Sequence, residues 1–267
     1  MRVSIIGLGT MGRGIALVCA RAGCEVRAFD ADPNKRDEAS QKDEIVVTAS
    51  IAEACDGAGI VIEAIPESLD MKAALFEEVK LAVPGDAILA SNTSSLSITE
   101  LGKRSGEPWR MLGLHFFNPP TSMELVEVVQ GADTDSAVVE QAIAFATRLG
   151  KKAILVRDAP GFATSRLGVA LGAEAMRMVE EGVASVADID RAMELGYRHA
   201  MGPLKVTDLV GLDVRLAILE HLERQLGDRF HPPAILRRLV SMGRLGKKVG
   251  VGFYRWTDAG PVAEPWE

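Results

Sequence analysis

Residues 4–23, Ser4-Ile5-Ile6-Gly7-Leu8-Gly9-Thr10-Met11-Gly12-Arg13-Gly14-Ile15-Ala16-Leu17-Val18-Cys19-Ala20-Arg21-Ala22-Gly23, admit two readings, and the choice decides the fold. Arg2 followed by an apolar stretch ending in Val18-Cys19-Ala20 has the outline of a secretory signal. Such a signal needs a continuous apolar block, and this one is broken by Gly7, Gly9, Gly12, Arg13 and Gly14. A glycine-rich phosphate cradle accounts for each interruption. Val3–Ile6 reads as a short buried strand, and Gly7-Leu8-Gly9-Thr10-Met11-Gly12 follows it without a spacer. A helical stretch then runs from Arg13 to about Arg21 and stops at Gly23, and Glu25–Phe29 alternates as a strand that ends at Asp30.

In a unit of this kind, the first glycine permits the turn, the second admits a pyrophosphate close to the backbone, and the third lets helix pack on strand. The helix start supplies unpaired N–H groups and the positive end of a dipole. Asp30 is placed to accept hydrogen bonds from the adenine ribose hydroxyls, and its charge repels a 2′-phosphate. NAD is therefore expected in preference to NADP.

Composition narrows the alternatives. The 267 residues are 48% hydrophobic and 25% charged, as in ordinary globular chains, and they suffice for one large or two modest domains. Thirty basic and 37 acidic residues give a net charge of −7 without basic blocks, which speaks against nucleic acid or an anionic membrane as partner. Apolar runs such as Ile60-Val61-Ile62 fall far short of the roughly 20 residues of a membrane helix. Cys19, Cys24 and Cys55 have no metal-ligand spacing and leave one thiol unpaired, so no metal and a reducing, cytoplasmic setting are expected.

The β/α alternation continues with strands at Ile45–Val47, Gly59–Ile65, Ala87–Ser91 and Met111–Phe116. Helices are expected after Ser50, over Asp70–Val83, and after Ser97, with capping-box spacing at both serines. This is a doubly wound α/β sheet of the Rossmann-like kind. Leu125–Val129 follows a turn too short for a crossover helix, so an antiparallel strand is expected there, and Ala153–Val156 closes the sheet. Beyond Asp158 strand signals nearly vanish, and helices are expected over Thr164–Glu181, Ser185–Leu195, Leu212–Leu226 and about Pro233–Leu245. The expected domains are thus 1–158, binding NAD, and 159–267, all-α, with ligands in the cleft between them at the carboxyl ends of the strands.

Hydride transfer from an alcohol needs a base tuned near neutral pH, and histidine is the natural candidate. Of four histidines, His115 falls at the end of a sheet strand. If residues 111–116 and 125–130 pair about a turn centred near Thr121, His115 faces Glu127. A carboxylate there would hold one ring nitrogen protonated and leave the other free as base, although a structural histidine with a chance acid opposite fits the spacing equally. Ser91-Asn92-Thr93-Ser94-Ser95 lies at the same edge, either contacting substrate or simply turning into the helix that Ser97 caps.

Taken together, these residues resemble the 3-hydroxyacyl-CoA dehydrogenase family over nearly the whole chain. The likeness rests on Gly7–Gly12, Glu63-Ala64-Ile65-Pro66-Glu67, Ser91–Leu96, His115-Phe116-Phe117-Asn118-Pro119 and Leu125–Val129. It continues through Pro160-Gly161-Phe162, Met201-Gly202-Pro203, Asp208–Asp213, and Gly246-Lys247-Lys248 leading to Gly252-Phe253-Tyr254. The resemblance implies NAD-dependent oxidation of an L-3-hydroxyacyl thioester to the 3-keto form, in fatty acid metabolism, by a homodimer joined through its helical domain. It further implies that His115 is the base, Glu127 its orienting partner and Ser94 a contact to the substrate hydroxyl. Glu67, Lys72, Asn118 and Lys248 would line the cofactor alongside Gly7, Gly9, Gly12 and Asp30.

Two departures stand out. Ser165 occupies the position of an asparagine in the family's catalytic group; it is shorter and lacks the amide, and a bridging water would have to substitute. Between Asp30 and the next strand the family carries a long helical pair whose basic residues help grip coenzyme A. Here only Asp32–Asp43 intervenes, enough for a loop or one short helix. Either Lys35, Arg36 and Lys42 give a weaker grip, or the substrate is a smaller 3-hydroxy acid or hydroxymethyl compound. An alternative of another class is a non-catalytic NAD-binding structural protein.

Overall fold

Four consecutive residues, the apolar Val3, Ile5 and Ile6 with the small Ser4 among them, are buried in β1 (Arg2–Ile6), the strand about which the sheet is organised. The computed structural model describes residues 1–43 and 45–264. They form two compact units, Met1–Phe162 and Ala163–Glu267.

In the first unit β1 leads into α1 (Thr10–Arg21), β2 (Glu25–Phe29), α2 (Pro33–Lys42), β3 (Val46–Val47), α3 (Ile51–Cys55) and β4 (Ile60–Glu63). Then come α4 (Leu69–Ala82), β5 (Ile88–Ser91), α5 (Ile98–Ser105), β6 (Met111–Phe116), β7 (Leu125–Gln130), α6 (Ser136–Arg148) and β8 (Lys152–Arg157). The strands form one sheet in the order β3-β2-β1-β4-β5-β6-β7-β8. Every pairing is parallel except β6 with β7. The chain runs outward from β1 in both directions, through β2 on one side and β4 on the other. This reversal opens a crevice at the carboxyl ends of β1 and β4. The expected doubly wound sheet with an added antiparallel strand is therefore present.

The glycine turn after β1 is tied by the Gly7 N–H, which donates to the Phe29 carbonyl at 2.8 Å. Gly7 has φ +99°, a conformation that L side chains rarely adopt. A Cβ on Gly12 would overlap the Gly7 carbonyl oxygen, so the third glycine is required by the turn's own backbone more than by helix-on-strand packing. Both predicted capping serines act as such: Ser50 Oγ accepts from Glu53 N–H at 3.2 Å, and Ser97 Oγ from Glu100 N–H at 3.1 Å. The Asp32–Asp43 segment is the single helix α2, and its Asp32 cap accepts from Asn34 N–H at 2.9 Å.

The second unit contains α7 (Thr164–Glu180), α8 (Val186–Gly196), α9 (Pro203–Val210), α10 (Leu212–Leu226) and α11 (Ala234–Ser241). Leu204, Leu212, Leu219, Leu222 and Leu236 are fully buried in its core. Two features lie outside the sequence expectation. The eight-residue α9 is one. The other is an antiparallel hairpin of β9 (Tyr254–Thr257) and β10 (Gly260–Ala263), so this helical unit is not purely α. The hairpin is fixed by a buried acid and not by apolar alternation. Asp208 accepts from the Phe253 and Tyr254 N–H groups and from Trp256 Nε1, each at 2.9 Å. Asp190, also fully buried, accepts from the Leu204 and Lys205 N–H groups and from the Tyr254 hydroxyl. Burial pushes both carboxyls above the ordinary carboxylate range. No helix among the described residues is long and apolar enough to cross a membrane.

Asp208→Ala leaves three donors without their acceptor and is expected to lower the unfolding free energy by about 3 kcal/mol or more, measured by guanidinium denaturation followed by Trp fluorescence. Gly12→Ala is expected to displace the first turn and weaken NAD binding at least about tenfold in a titration, because its new methyl group has nowhere to go without moving backbone.

Candidate active site

At the carboxyl edge of β4, β5 and β6 three segments converge, each closing an apolar strand with polar residues. β6 is buried along its whole length, and the cross-strand register sets His115 directly opposite Glu127 of β7. His115 Nδ1 lies 2.7 Å from Glu127 Oε2, with the carboxylate fully buried and the residue carrying the imidazole 7% exposed. Phe117 and Phe162 flank the ring, with centroids 4.6 and 5.9 Å away. A buried carboxylate bound to Nδ1 fixes that nitrogen as the protonated one, so Nε2 carries the lone pair. No hydrogen bond to Nε2 is found among the described residues.

The serine-containing loop beside it is held from two sides. Asn92 Oδ1 accepts from Phe116 N–H at 2.9 Å, clamping the loop's start to the histidine strand. Glu67 Oε1 accepts from Thr93 Oγ1 at 2.6 Å, from Ser94 N–H at 3.2 Å and from Ser95 Oγ at 2.9 Å. Ser94 is left exposed at the top of this loop. Behind Glu67 lies a buried ion pair: Lys72 Nζ donates to Glu63 Oε1 and Oε2 at 2.8 and 2.7 Å and stands 3.5 Å from Glu67 Oε2. Ser91 Oγ donates a short bond to Glu63 as well. Burial pushes the Glu63 carboxyl up, against the pull of Lys72, Ser91 and the Ile65 N–H. Lys72 is thus engaged inside the protein, acting on the rim through Glu67.

At the switch point, a cavity of about 610 Å³ is lined by Gly7, Gly9, Phe29, Asp30, Pro66 and Leu75 among others. α1 begins at its wall with no side-chain cap, and a Cβ on Gly9 would meet nothing within 4 Å, so the helix's first N–H groups open onto free space. Asp30 is held by two backbone donors, Leu8 N–H to Oδ2 at 2.6 Å and Asp32 N–H to Oδ1 at 2.8 Å. An uncapped helix start, an apolar slot and a fixed carboxylate fit a dinucleotide carrying two ribose hydroxyls.

Asn118 is exposed just beyond β6. Ser165 lies half-buried in the first turn of α7, in the second unit, where Lys248 pairs with Asp213 at 2.6 Å. Of the basic residues in α2, Arg36 donates to the Asp30 carbonyl at 2.6 Å and Lys35 stands 3.8 Å from the Asp30 carboxylate, while the Lys42 side chain lies outside the described residues. Sequence reasoning placed Asn92, Glu63 and Ser91 within its motifs but gave none of them a role of its own. The signal for Glu63 was available: an ionisable residue closes the otherwise apolar strand Ile60-Val61-Ile62-Glu63, with Lys72 nine residues on.

Comparison with known proteins supplies the family. The profile described as 3-hydroxyacyl-CoA dehydrogenase, NAD binding domain, matches residues 2–45 and 33–159, and that of the family's C-terminal domain matches 161–256. A probable 3-hydroxybutyryl-CoA dehydrogenase of Bacillus subtilis is 39% identical, over 96% of this chain and 98% of the relative. The crystal structure of (S)-3-hydroxybutyryl-CoA dehydrogenase PaaH1 from Ralstonia eutropha superposes with a TM-score of 0.90 at 33% identity, covering 96% of this chain and 99% of that one. An NAD⁺-dependent 5-formyl-3-hydroxy-2-methylpyridine 4-carboxylic acid 5-dehydrogenase matches with a TM-score of 0.79 at 31% identity, over 97% and 92%. The glycine turn, the fixed Asp30 and these matches across both units lead to one conclusion: the chain belongs to the 3-hydroxyacyl-CoA dehydrogenase family of NAD-dependent oxidoreductases.

Proposed function

We propose that this chain oxidises an L-3-hydroxyacyl thioester to its 3-keto form, with His115 as general base. The observation that carries the reading is the 2.7 Å contact between His115 Nδ1 and Glu127, which leaves Nε2 as the nitrogen able to accept a proton. Nε2 takes the proton of the substrate 3-hydroxyl as the C3–H bond breaks. When bound, NAD supplies the acceptor for the hydride that leaves C3. Glu127 does not take the proton; it keeps the ring in one tautomer and stabilises the imidazolium that forms.

Ser94, at the top of a loop that Glu67 and Asn92 hold rigid, contacts the substrate hydroxyl. Ser165 completes the catalytic group through a bridging water in place of an amide. Gly7, Gly9, Gly12 and Asp30 hold the pyrophosphate and adenine ribose, with Glu67, Asn118 and Lys248 serving the cofactor's remaining length and the buried Lys72 acting on it through Glu67. The first unit up to residue 158 is the NAD-binding domain, and the remainder carries substrate and dimer contacts. Exposed Leu167, Leu195 and Tyr197 in the second unit support a homodimer. Three buried free thiols support a cytoplasmic setting, and a 3-hydroxyacyl thioester substrate supports a role in fatty acid metabolism.

A second reading, the same chemistry on a non-CoA hydroxy acid or hydroxymethyl compound, is favoured by α2. Its ten residues make one helix, and Lys35 and Arg36 are engaged with Asp30 instead of being held out for a nucleotide tail. The structural relative that acts on a pyridine carboxylic acid is consistent with this breadth.

His115→Ala is expected to lower kcat by about 10²–10⁴ with NAD affinity retained, and Glu127→Gln to lower kcat without altering KM for NAD; a His115→Ala enzyme with near-normal turnover refutes the base assignment. NADH formation from 3-hydroxybutyryl-CoA is expected to exceed that from free 3-hydroxybutyrate in kcat/KM, and the reverse order establishes the second reading.

A further inference from the structure

We propose that Arg215 forms a carboxylate subsite beside Ser165, and that the substrate of this chain carries a free carboxylate two carbons from the one bearing the hydroxyl. This deepens the reading above and rests on its assignment of Ser165 to the catalytic group.

Arg215 is a buried charge without a counter-charge. It lies in the first turn of α10 and is 6% exposed, and among the described residues it makes no hydrogen bond and no ion pair. Its Nε is sealed from solvent, while the two Nη atoms, also unbonded, are not. Burial pushes the guanidinium down to about 10, with no neighbouring carboxylate to hold it up. Asp213, two residues away, is taken by Lys248 at 2.6 Å. At neutral pH the group therefore stays charged. Water satisfies a donor but does not neutralise a charge, and a lone buried charge is among the costliest arrangements a fold can keep. An anion that arrives with a ligand accounts for it.

The surroundings of Arg215 narrow the source of that anion. The guanidinium rests against α7 at Gly168, where a Cβ would stand 3.5 Å from Nη1 and 3.9 Å from Nη2. Ser165 lies three residues earlier on the same face of α7, about 4.5 Å along the helix axis. Thr207 of α9 meets that face one turn further on, its Oγ1 standing 3.0 Å from where a Cβ on Gly172 would be. Thr207 Oγ1 and Arg215 Nε are the two sealed, unpartnered side-chain atoms among the described residues. Both therefore lie along one lane of α7, and Ser165 begins it. A side chain of another subunit does not reach a guanidinium that the chain itself covers to this depth. A small anion carried by the substrate does, and a planar carboxylate matches the paired Nη donors. A carboxylate two carbons from the hydroxyl-bearing carbon suits the one-turn offset between Ser165 and Arg215. Two kinds of substrate carry it there: a free 3-hydroxy acid, through C1, and the thioester of a 3-hydroxy dicarboxylic acid, through its far end.

The test measures dissociation constants by calorimetry with NADH bound, which allows a ternary complex without hydride transfer. 3-Hydroxybutyrate is compared with 3-hydroxybutyramide, and 3-hydroxyglutaryl-CoA with 3-hydroxybutyryl-CoA, in the wild-type chain and in Arg215→Met, Arg215→Gln and Arg215→Lys, with thermal melts confirming folding. In the wild type the charged member of at least one pair is expected to bind at least about tenfold tighter, and the pair that shows it names the source. Arg215→Met and Arg215→Gln are expected to erase that preference. Arg215→Lys is expected to keep part of it, because the charge remains while the two-pronged donor is lost. No arm depends on turnover, so a failed base assignment shows in the kcat of His115→Ala and leaves the acid-to-amide ratio untouched. The proposal is overturned if neither pair shows a preference for charge in the wild type, or if the preference survives in a folded neutral variant. Failure of both neutral variants to fold assigns the arginine to structure and overturns it as well.

Discussion

A single reversal of strand direction carries the chemistry of this chain. Parallel strands bring their carboxyl ends to one edge and pair there in register, Glu63 with Ser91 and Ser91 with Gly113, but none of these pairings sets a carboxylate beside His115. β7 returns antiparallel beside β6, and the hairpin geometry sets residue 127 against residue 115 on the same face. The pair is then buried by the strands on either side, β5 and β8. A buried carboxylate against a ring nitrogen at 2.7 Å leaves the imidazole one orientation and one tautomer. Had the chain continued as another parallel unit, the histidine would still end a strand at the same edge, but without an acid to orient it.

Carboxylates recur as the fixings of loops throughout the molecule. Asp30 ties the glycine turn to the lead of α2, and Glu67 gathers three donors of the serine loop. Asp158 accepts from Ser97 Oγ at 2.7 Å and Thr99 N–H at 2.8 Å, and Asp208 and Asp190 anchor the hairpin and the start of α9. In each case an acid satisfies N–H groups that no strand or helix pairs, which is the demand every irregular segment makes when its backbone leaves water. An acidic excess of seven is thus partly an internal feature, and a poor guide to what the surface attracts.

This explains where sequence reading succeeds and where it stops. Apolar periodicity and glycine spacing make the doubly wound sheet legible, and the symmetry of a short turn about Thr121 makes the 115–127 contact legible before any coordinates. Both depend on local pattern. The β9–β10 hairpin follows no apolar alternation strong enough to read, because its register is set by Asp208, more than forty residues earlier in the chain. Asn92 likewise looks like one polar residue in a turn. Only the Phe116 N–H that it meets across the sheet edge separates a clamp from a solvated side chain. Long-range side-chain-to-backbone bonds have no period, and so leave no trace in a single sequence.

The buried pair of Lys72 with Glu63 shows why such fixings persist despite their cost. Two apolar residues of similar volume would fill the site with less desolvation, and breaking the pair by removing one partner costs about 3–5 kcal/mol. What an apolar pair cannot do is transmit charge. Lys72 divides its ammonium between a fully buried carboxylate and Glu67, whose side chain is 39% exposed at the rim. Glu63 alone would be pushed toward its protonated form, since burial raises its carboxyl. Lys72, Ser91 and the Ile65 N–H oppose that rise, and the shared ammonium draws Glu67 into the position from which it reaches Thr93, Ser94 and Ser95 together. The desolvation spent inside the sheet is recovered as order in an exposed loop that has no core of its own to hold it.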